Sequence, residues 1–178
     1  MNVITSNRGK FREFQKELSG QFRVSMKNVD YHEIQTDSLE FVVLHALDEL
    51  EEYAPLIIDD SGLFVRALNG FPGVYSAYVM DTLGCSGILK LMEQEENREA
   101  YFQCIIGLLD HGKKLFKGTC RGSISYKERG TQGFGYDPIF IPSGCDTAFA
   151  EMDTSEKNKI SHRGKAAESF LDHVKSLS

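Results

Sequence analysis

The sequence predicts an α/β protein: a mixed, twisted sheet with flanking helices, arranged as two lobes around a central cleft. Three observations carry that expectation. Strand-like and helical segments alternate through the first half, a run of strands with tight turns fills much of the second, and glycine-rich turns bearing charged residues fall at the junctions. A chain of 178 residues suits one domain, residues 1–178. At that length folding buries roughly 70% of the surface the unfolded chain exposes.

The elements follow in order. Asn2-Val3-Ile4-Thr5 reads as a short buried strand, and Phe11, Phe14 and Leu18 then recur at helical spacing after a polar turn. Asp37 and Glu40 have capping-box spacing ahead of Leu39, Val42, Val43, Ala46, Leu47 and Leu50, so a second helix is expected to run to about Tyr53, with Pro55 stopping it. Leu56-Ile57-Ile58 is a short apolar run ending on Asp59 and Asp60, the pattern of a buried strand with carboxylates at its C-terminal end. A stretch punctuated by Gly and Pro runs from Gly62 to Gly73, and a helix containing Ile88, Leu89 and Met92 is expected to end near Glu96. Residues 101–109, 113–119 and 122–126 read as strands of an antiparallel meander, with turns at His111-Gly112 and near Cys120. Asp153 with Glu156 marks another helix start, and Phe170, Leu171, Val174 and Leu177 give a last helix its apolar face.

Composition narrows the class. Apolar residues at 41% and charged residues at 26% are ordinary for soluble globular proteins. No stretch approaches the roughly 20 apolar residues that span a bilayer, and Met1 to Lys10 lacks the apolar core of a secretory signal, so a cytoplasmic protein with no membrane partner is expected. Cys85, Cys104, Cys120 and Cys145 are scattered without zinc spacing and read as reduced thiols. A net charge of −6 argues against a nucleic-acid partner. The positive charge is uneven, however. Lys157, Lys159, His162, Arg163 and Lys165 occur together with no acidic residue among them, which reads either as a local anion site or as a solvated helix face.

Four segments carry candidate chemistry. Thr5-Ser6-Asn7-Arg8-Gly9-Lys10 joins the first strand to the first helix, where unpaired N–H groups and the helix dipole meet an anion. It is not a P-loop, because Ile4 and Phe11 stand where that motif needs a glycine and a hydroxyl residue. An ordinary turn capped by Asn7 is the plainer reading. Adjacent carboxylates at Asp59 and Asp60 call for a cation, and hard oxygen donors suit magnesium. Strand alternation lets only one of the two side chains dominate such a site. Glu33 reads more readily as a surface loop glutamate than as a second ligand. Gly133-Phe134-Gly135-Tyr136-Asp137 sets aromatic faces in flexible backbone, as a sandwich for a planar base or as a tight turn on the core. Ser161-His162-Arg163 places a helix cap beside imidazole and guanidinium groups. A Ser61 nucleophile with a His162 base is an alternative, but no Gly-x-Ser-x-Gly elbow accompanies it.

Taken in order, Thr5-x-Asn7-x-x-Lys10, Asp59-Asp60-Ser61-Gly62-Leu63, residues 70–77 (Gly-Phe-Pro-Gly-Val-Tyr-Ser-Ala), residues 133–138 and Ser161-His162-Arg163 resemble the motifs of the inosine triphosphate pyrophosphatase, or Ham1-like, family. The resemblance spans nearly the whole chain and is most like the short archaeal members. It implies a nucleotide-binding cleft and Mg2+-dependent hydrolysis of ITP, XTP or dITP to the monophosphate and pyrophosphate, by a homodimer. By resemblance, Asp60 is the proton acceptor and a metal ligand, and Glu33 is the other metal ligand. Thr5, Ser6, Asn7, Arg8, Gly9 and Lys10 form the triphosphate loop, with Ser61 beside the phosphates and Lys157 and Arg163 as cationic contacts. Phe134, Gly135, Tyr136, Asp137 and His162 stack on and read the base.

One departure stands out: many relatives carry a phosphate-binding lysine on the second helix, where this chain offers only His45. Two other readings are a Maf-like pyrophosphatase, whose N-terminal Pro-Arg-Arg pattern is absent, and a nucleotide-sensing module without turnover.

Overall fold

One long strand organises the computed structural model, which describes residues 1–18, 20, 22–32 and 34–176. In chain order the elements are β1 (Asn2–Ile4), α1 (Arg8–Leu18), β2 (Ser25–Lys27), α2 (Leu39–Glu49), β3 (Leu56–Val65), β4 (Pro72–Gly73) and α3 (Ser76–Thr82). There follow α4 (Gly84–Leu91), β5 (Glu99–Leu109), β6 (Lys113–Ile124), β7 (Phe140–Pro142), α5 (Thr154–Ile160) and α6 (His162–Lys175). Glu33 and Leu177 lie outside the described residues.

The strands form one mixed sheet in the order β2-β1-β3-β5-β6-β7, with β4 added to β3. β1 is parallel to β2 and β3, and the later pairs are antiparallel. The expected short strand ending at Asp59 is corrected here: β3 runs straight through both aspartates to Val65. Its length is set by β5, which pairs with every residue from Leu56 to Val65. On the other edge β1 stops opposite Ile58 and β4 begins opposite Leu63, so residues 59–62 face an opening and no strand. The carboxylates stand where the sheet splits, in mid-strand.

A second correction concerns Cys120. No turn falls there, because residues 113–124 form one strand in continuous register with β5, and Cys120 pairs with Phe102. Gly118 and Gly122, on either side of Cys120, are sites of close backbone approach. A Cβ on Gly118 would lie 2.0 Å from the His162 carbonyl oxygen. The turn at His111-Gly112 is present.

The caps show which local signals hold. Asp153 and Glu156 form a reciprocal capping box on α5, and Ser161 caps α6 by accepting from Gly164 N–H. For α2 the cap is Ser38 and not Asp37: the Ser38 hydroxyl accepts from Phe41 N–H and donates to Glu40. That helix ends at Glu49, and a 3-10 turn at Glu51–Tyr53 leads into Pro55. α4 ends at Leu91, short of Glu96, and α3 was not anticipated.

Apolar side chains gather in three clusters. Val3, Phe14, Ile57, Ile106 and Phe170 fill one face of the sheet under α1 and α6, while Ile4, Val43, Leu47, Ile58 and Ile105 fill the other under α2. Opposite alternation along β3 produces that division. The third cluster packs the far ends of β3, β5 and β6 against α4, Tyr136, Phe140 and Phe149. The sheet thus threads two lobes, with residues 59–62 at their junction.

Candidate active site

The first wall of the cleft is the β1–α1 loop. Asn7 Oδ1 accepts from the N–H groups of Gly9 (2.8 Å) and Lys10 (3.1 Å), and Thr5 Oγ1 accepts from Asn7 N–H (3.1 Å). Asn7 therefore caps α1 and fixes its N-terminus at the cleft. Gly9 is pressed against the second loop, since a Cβ there would lie 2.7 Å from Phe134 Cδ1.

The two aspartates have separate fates, as strand alternation requires. Asp59 is buried, and its Oδ2 receives Lys10 Nζ at 3.3 Å and Arg163 Nε and Nη2 at 3.2 and 3.1 Å. The Ser61 hydroxyl donates to the same oxygen at 3.1 Å while accepting from Arg163 at 3.0 Å. Burial pushes the Asp59 carboxyl upward, but Lys10 and Arg163 outweigh it and hold the pKa below its ordinary value. Asp60 is half-buried, and its Oδ1 accepts from Ser61 N–H at 2.8 Å. With its hydroxyl held between Asp59 and Arg163, Ser61 is a poor candidate for a nucleophile activated by His162.

Behind this wall lies a charge network that the sequence hid. Glu13 on α1 is buried and takes Lys157 Nζ on Oε1 at 2.8 Å and Arg163 Nη1 on Oε2 at 2.5 Å. Lys157 also donates to Asp137 Oδ2 at 2.7 Å, which accepts the Phe134 N–H at 2.8 Å. The apparently unopposed basic cluster is thus matched by Glu13, Asp59 and Asp137 from distant parts of the chain. Burial pushes Glu13 up, yet Arg163 and Lys157 bring it below its ordinary value. For Asp137 burial wins, and the pKa is raised despite Lys157. Lys159 and Lys165 remain exposed. Among the cationic side chains lining the cleft, Lys157 and Arg163 are nearly sealed, at 4% and 3% side-chain exposure, whereas Lys10 keeps 20%.

The second wall is the loop of residues 133–137, four of which line the cleft. Phe134 is half-buried, with Lys157 Nζ 4.8 Å and Arg163 Cζ 5.6 Å from its ring centre. Gly133 has φ of 75° and so close an approach to Asp137 that a Cβ would lie 2.1 Å from Oδ2, which excludes a side chain. His162 is buried and stacks on Phe102 at 4.5 Å between ring centres. Burial, then the neighbouring Arg163 and Lys157, hold it neutral far below its ordinary pKa, and its Nδ1 has no partner among the described residues.

These walls enclose about 1150 Å3. Thr5, Ser6, Asn7, Lys10, Asp60, Ser61, Phe134, Gly135, Tyr136, Asp137, Lys157, His162 and Arg163 all line that one space. Arg8 stands exposed at the start of α1, and Gly9 meets Phe134 instead. Asp30, Tyr31, Ile34 and Gln35, flanking Glu33 in sequence, also line the cleft. His45 does not supply the missing helix cation: it pairs with Glu49 one turn on at 3.2 Å, and Val42 is the residue α2 turns to the cleft. No group of three or more His, Cys, Asp or Glu side chains suited to a metal occurs among the described residues.

A model of the Ham1 family matches residues 1–173. The chain belongs to the Ham1 family. A relative from Pyrococcus horikoshii, named dITP/XTP pyrophosphatase, is 50% identical over 177 residues, covering 97% of this chain and 95% of its own length. A protein of the same name from Methanopyrus kandleri is 49% identical over 177 residues, covering 96% and 94%. The solved structure of the Staphylococcus aureus Ham1 protein is similar over 100% of both chains, with a TM-score of 0.84 and 28% identity. The Ham1 resemblance of the motifs therefore holds for the whole chain and for the fold. No helix among the described residues is long and apolar enough to cross a membrane.

Proposed function

We propose that this Ham1-family chain hydrolyses deaminated purine nucleoside triphosphates (ITP, XTP and dITP) to the nucleoside monophosphate and pyrophosphate, with Asp60 activating the attacking water. One observation carries the reading: a helix N-terminus with Lys10, the half-buried Asp60 carboxylate, and a wall of Phe134, Asp137 and His162 share one cleft large enough for a nucleotide. The phosphates lie along Thr5–Lys10, and the base lies against the 133–137 loop. Water attacks the α-phosphorus in line and gives its proton to Asp60. The bond from that phosphorus to the α–β bridging oxygen breaks, and pyrophosphate leaves with the bonding pair. Lys10 and the positive end of the α1 dipole offset the charge on the departing phosphates.

The donor set fits a hard divalent ion. Asp60 supplies oxygen ligands at the cleft, and magnesium habitually takes one or two protein carboxylates and completes its shell with water and phosphate. Asp60 and, on the family resemblance, Glu33 are the residues that would hold it. When bound, the ion neutralises charge on the phosphates.

Selection follows from the buried polar wall. His162 stays neutral and lines the cleft, so its imidazole carries one N–H that can face the base. A 6-keto purine satisfies a ring N–H donor there, whereas a 6-amino group sets donor against donor, at about 1–3 kcal/mol for the unpaired group. The enzyme works in the cytoplasm as a homodimer, a state that light scattering at micromolar concentration checks. Hydrolysis rates for ITP, XTP, dITP, GTP, ATP and dUTP, with and without magnesium and with the released phosphates separated, test the proposal. Pyrophosphate from the deaminated purines is the expected product, and orthophosphate from ITP overturns it.

A further inference from the structure

Tyr136 belongs, by resemblance, to the residues that contact the base, yet its environment is that of a core residue. It is 4% exposed and packs in the cluster with Leu63, Ile88, Phe102 and Phe140. Its hydroxyl donates to the carbonyl of Ser76, the first residue of α3, at 2.9 Å. Ser76 is itself buried, and its own hydroxyl accepts from Leu63 N–H at 2.8 Å and donates to the Gly73 carbonyl at 2.7 Å. Leu63 lies three residues beyond Asp60 on β3. There is no slack next to it, because a Cβ on Gly62 would lie 2.4 Å from the Gly73 oxygen.

From these contacts we infer that Tyr136 is a positioning residue, one end of a relay through Ser76 that fixes the base-side loop to the strand bearing Asp60. This rests on the pyrophosphohydrolase reading and sharpens it. The base is held by Phe134 and Asp137 on one element, and the water is activated from another, so the transition state requires a fixed separation between them. The relay spans that separation with neutral, buried hydrogen bonds, which lengthen little without being lost altogether. On the opposite side of the loop, the Asp137–Lys157 pair fixes it to α5, and reaches β3 by a longer, charged route through Glu13, Arg163 and Asp59. Removing the Tyr136 hydroxyl breaks the short neutral link to β3 while keeping the ring, Phe134 and Asp137 in place and the charged route intact. Substrate still binds, but the α-phosphorus is held less well against Asp60, so the loss falls on kcat and not on KM.

The test compares Tyr136→Phe, Ser76→Ala and the double variant, using ITP with magnesium. Ile88→Val, in the same core cluster but outside the relay, serves as the stability control. The expected result is a fall in kcat of about five- to tenfold for Tyr136→Phe, the worth of one net hydrogen bond, and at least as large a fall for Ser76→Ala, which loses two. KM stays within about twofold, and the double variant is no worse than the poorer single, because both break one relay. Ile88→Val keeps the wild-type kcat after any loss of melting temperature. Wild-type kinetics for Tyr136→Phe, a raised KM at unchanged kcat, or independent additive losses each overturn the inference, the second by showing direct contact with the substrate. The products of the wild-type enzyme test the underlying activity separately, so failure of the relay and failure of the reaction assignment are told apart.

Discussion

Arg163 aims Nε and Nη2 at a single oxygen of Asp59, Oδ2, at 3.2 and 3.1 Å, while Oδ1 has no hydrogen-bond partner among the described residues. Asp59 thus holds Arg163 and Lys10, while Asp60, the next residue, projects from the other face of the strand and is the proposed proton acceptor. Asparagine substitutions separate the two roles. Asp59→Asn leaves a buried guanidinium short of countercharge and costs about 3 kcal/mol. In a chain this long that lowers the melting temperature by about 6–12 °C. Asp60→Asn changes melting by only a few degrees but lowers turnover by about 10²–10⁴-fold. Thermal melts alongside product release from ITP check both, and a stable, active Asp60→Asn enzyme sinks the proton-acceptor role.

Glu13 holds Lys157 and Arg163 at once, so its charge underlies both walls of the cleft. Its pKa and that of Asp59 are held below ordinary carboxylate values. The native state therefore releases these protons more readily than the unfolded chain. Their contribution is present above the ordinary carboxylate value of about 4 and is lost as pH falls through the lower folded values. Glu13→Gln is expected to lower stability at neutral pH, flatten the acid limb of the stability curve below about pH 4, and raise KM for ITP. Melting temperatures from pH 2 to 7 report the first two effects.

The contrast between Glu13 and the capping residues shows what is legible in this sequence. Ser161, Asp153 and Glu156 act on N–H groups two or three residues away, so their spacing announces them. Glu13 meets Lys157 and Arg163 across 144 and 150 residues, and locally it is one more polar residue on an amphipathic helix. The length of β3 was hidden for a similar reason, since the ladder with β5 carries the strand past residues that look like its end. Thr5-Asn7-Lys10 and the 133–137 loop were readable because a glycine or cap fixes each within its own segment. Their convergence on one cleft became readable only through the family's motif order. Tyr136 meets its partner, Ser76, at 60 residues' separation, which no spacing rule reaches.

His162 supplies the next expectation. Burial first, and then the surrounding cations, hold its pKa well below the ordinary value. The native ring stays neutral while the unfolded chain takes up a proton below about pH 6.5. The unfolded state then binds more protons, so stability is retained above that pH and lost as pH falls through it. Histidine NMR should show one imidazole with no titration down to pH 5. His162→Asn should remove part of the slope in melting temperature between pH 7 and 5. An imidazole titrating near pH 6.5 at this position rules the assignment out.

Gly118 links the sheet to the site most directly. A Cβ there would stand 2.0 Å from the His162 carbonyl oxygen and 2.5 Å from Ala166 N, both backbone atoms of α6. Neither atom swings aside as a side chain does, so Gly118→Ala forces the first turn of α6 away from β6 and carries His162 and Arg163 with it. The expected cost is about 1–3 kcal/mol of stability, as for other overpacked cores. KM for ITP should rise as well, because the displaced residues line the cleft. Gly112→Ala, at the exposed β5–β6 turn with no atom within 4 Å of the added carbon, is the matched control and should leave melting and kinetics unchanged. If Gly118→Ala destabilises without raising KM, the close approach serves packing alone, and the base-side wall is held in place by α5 and the 133–137 loop.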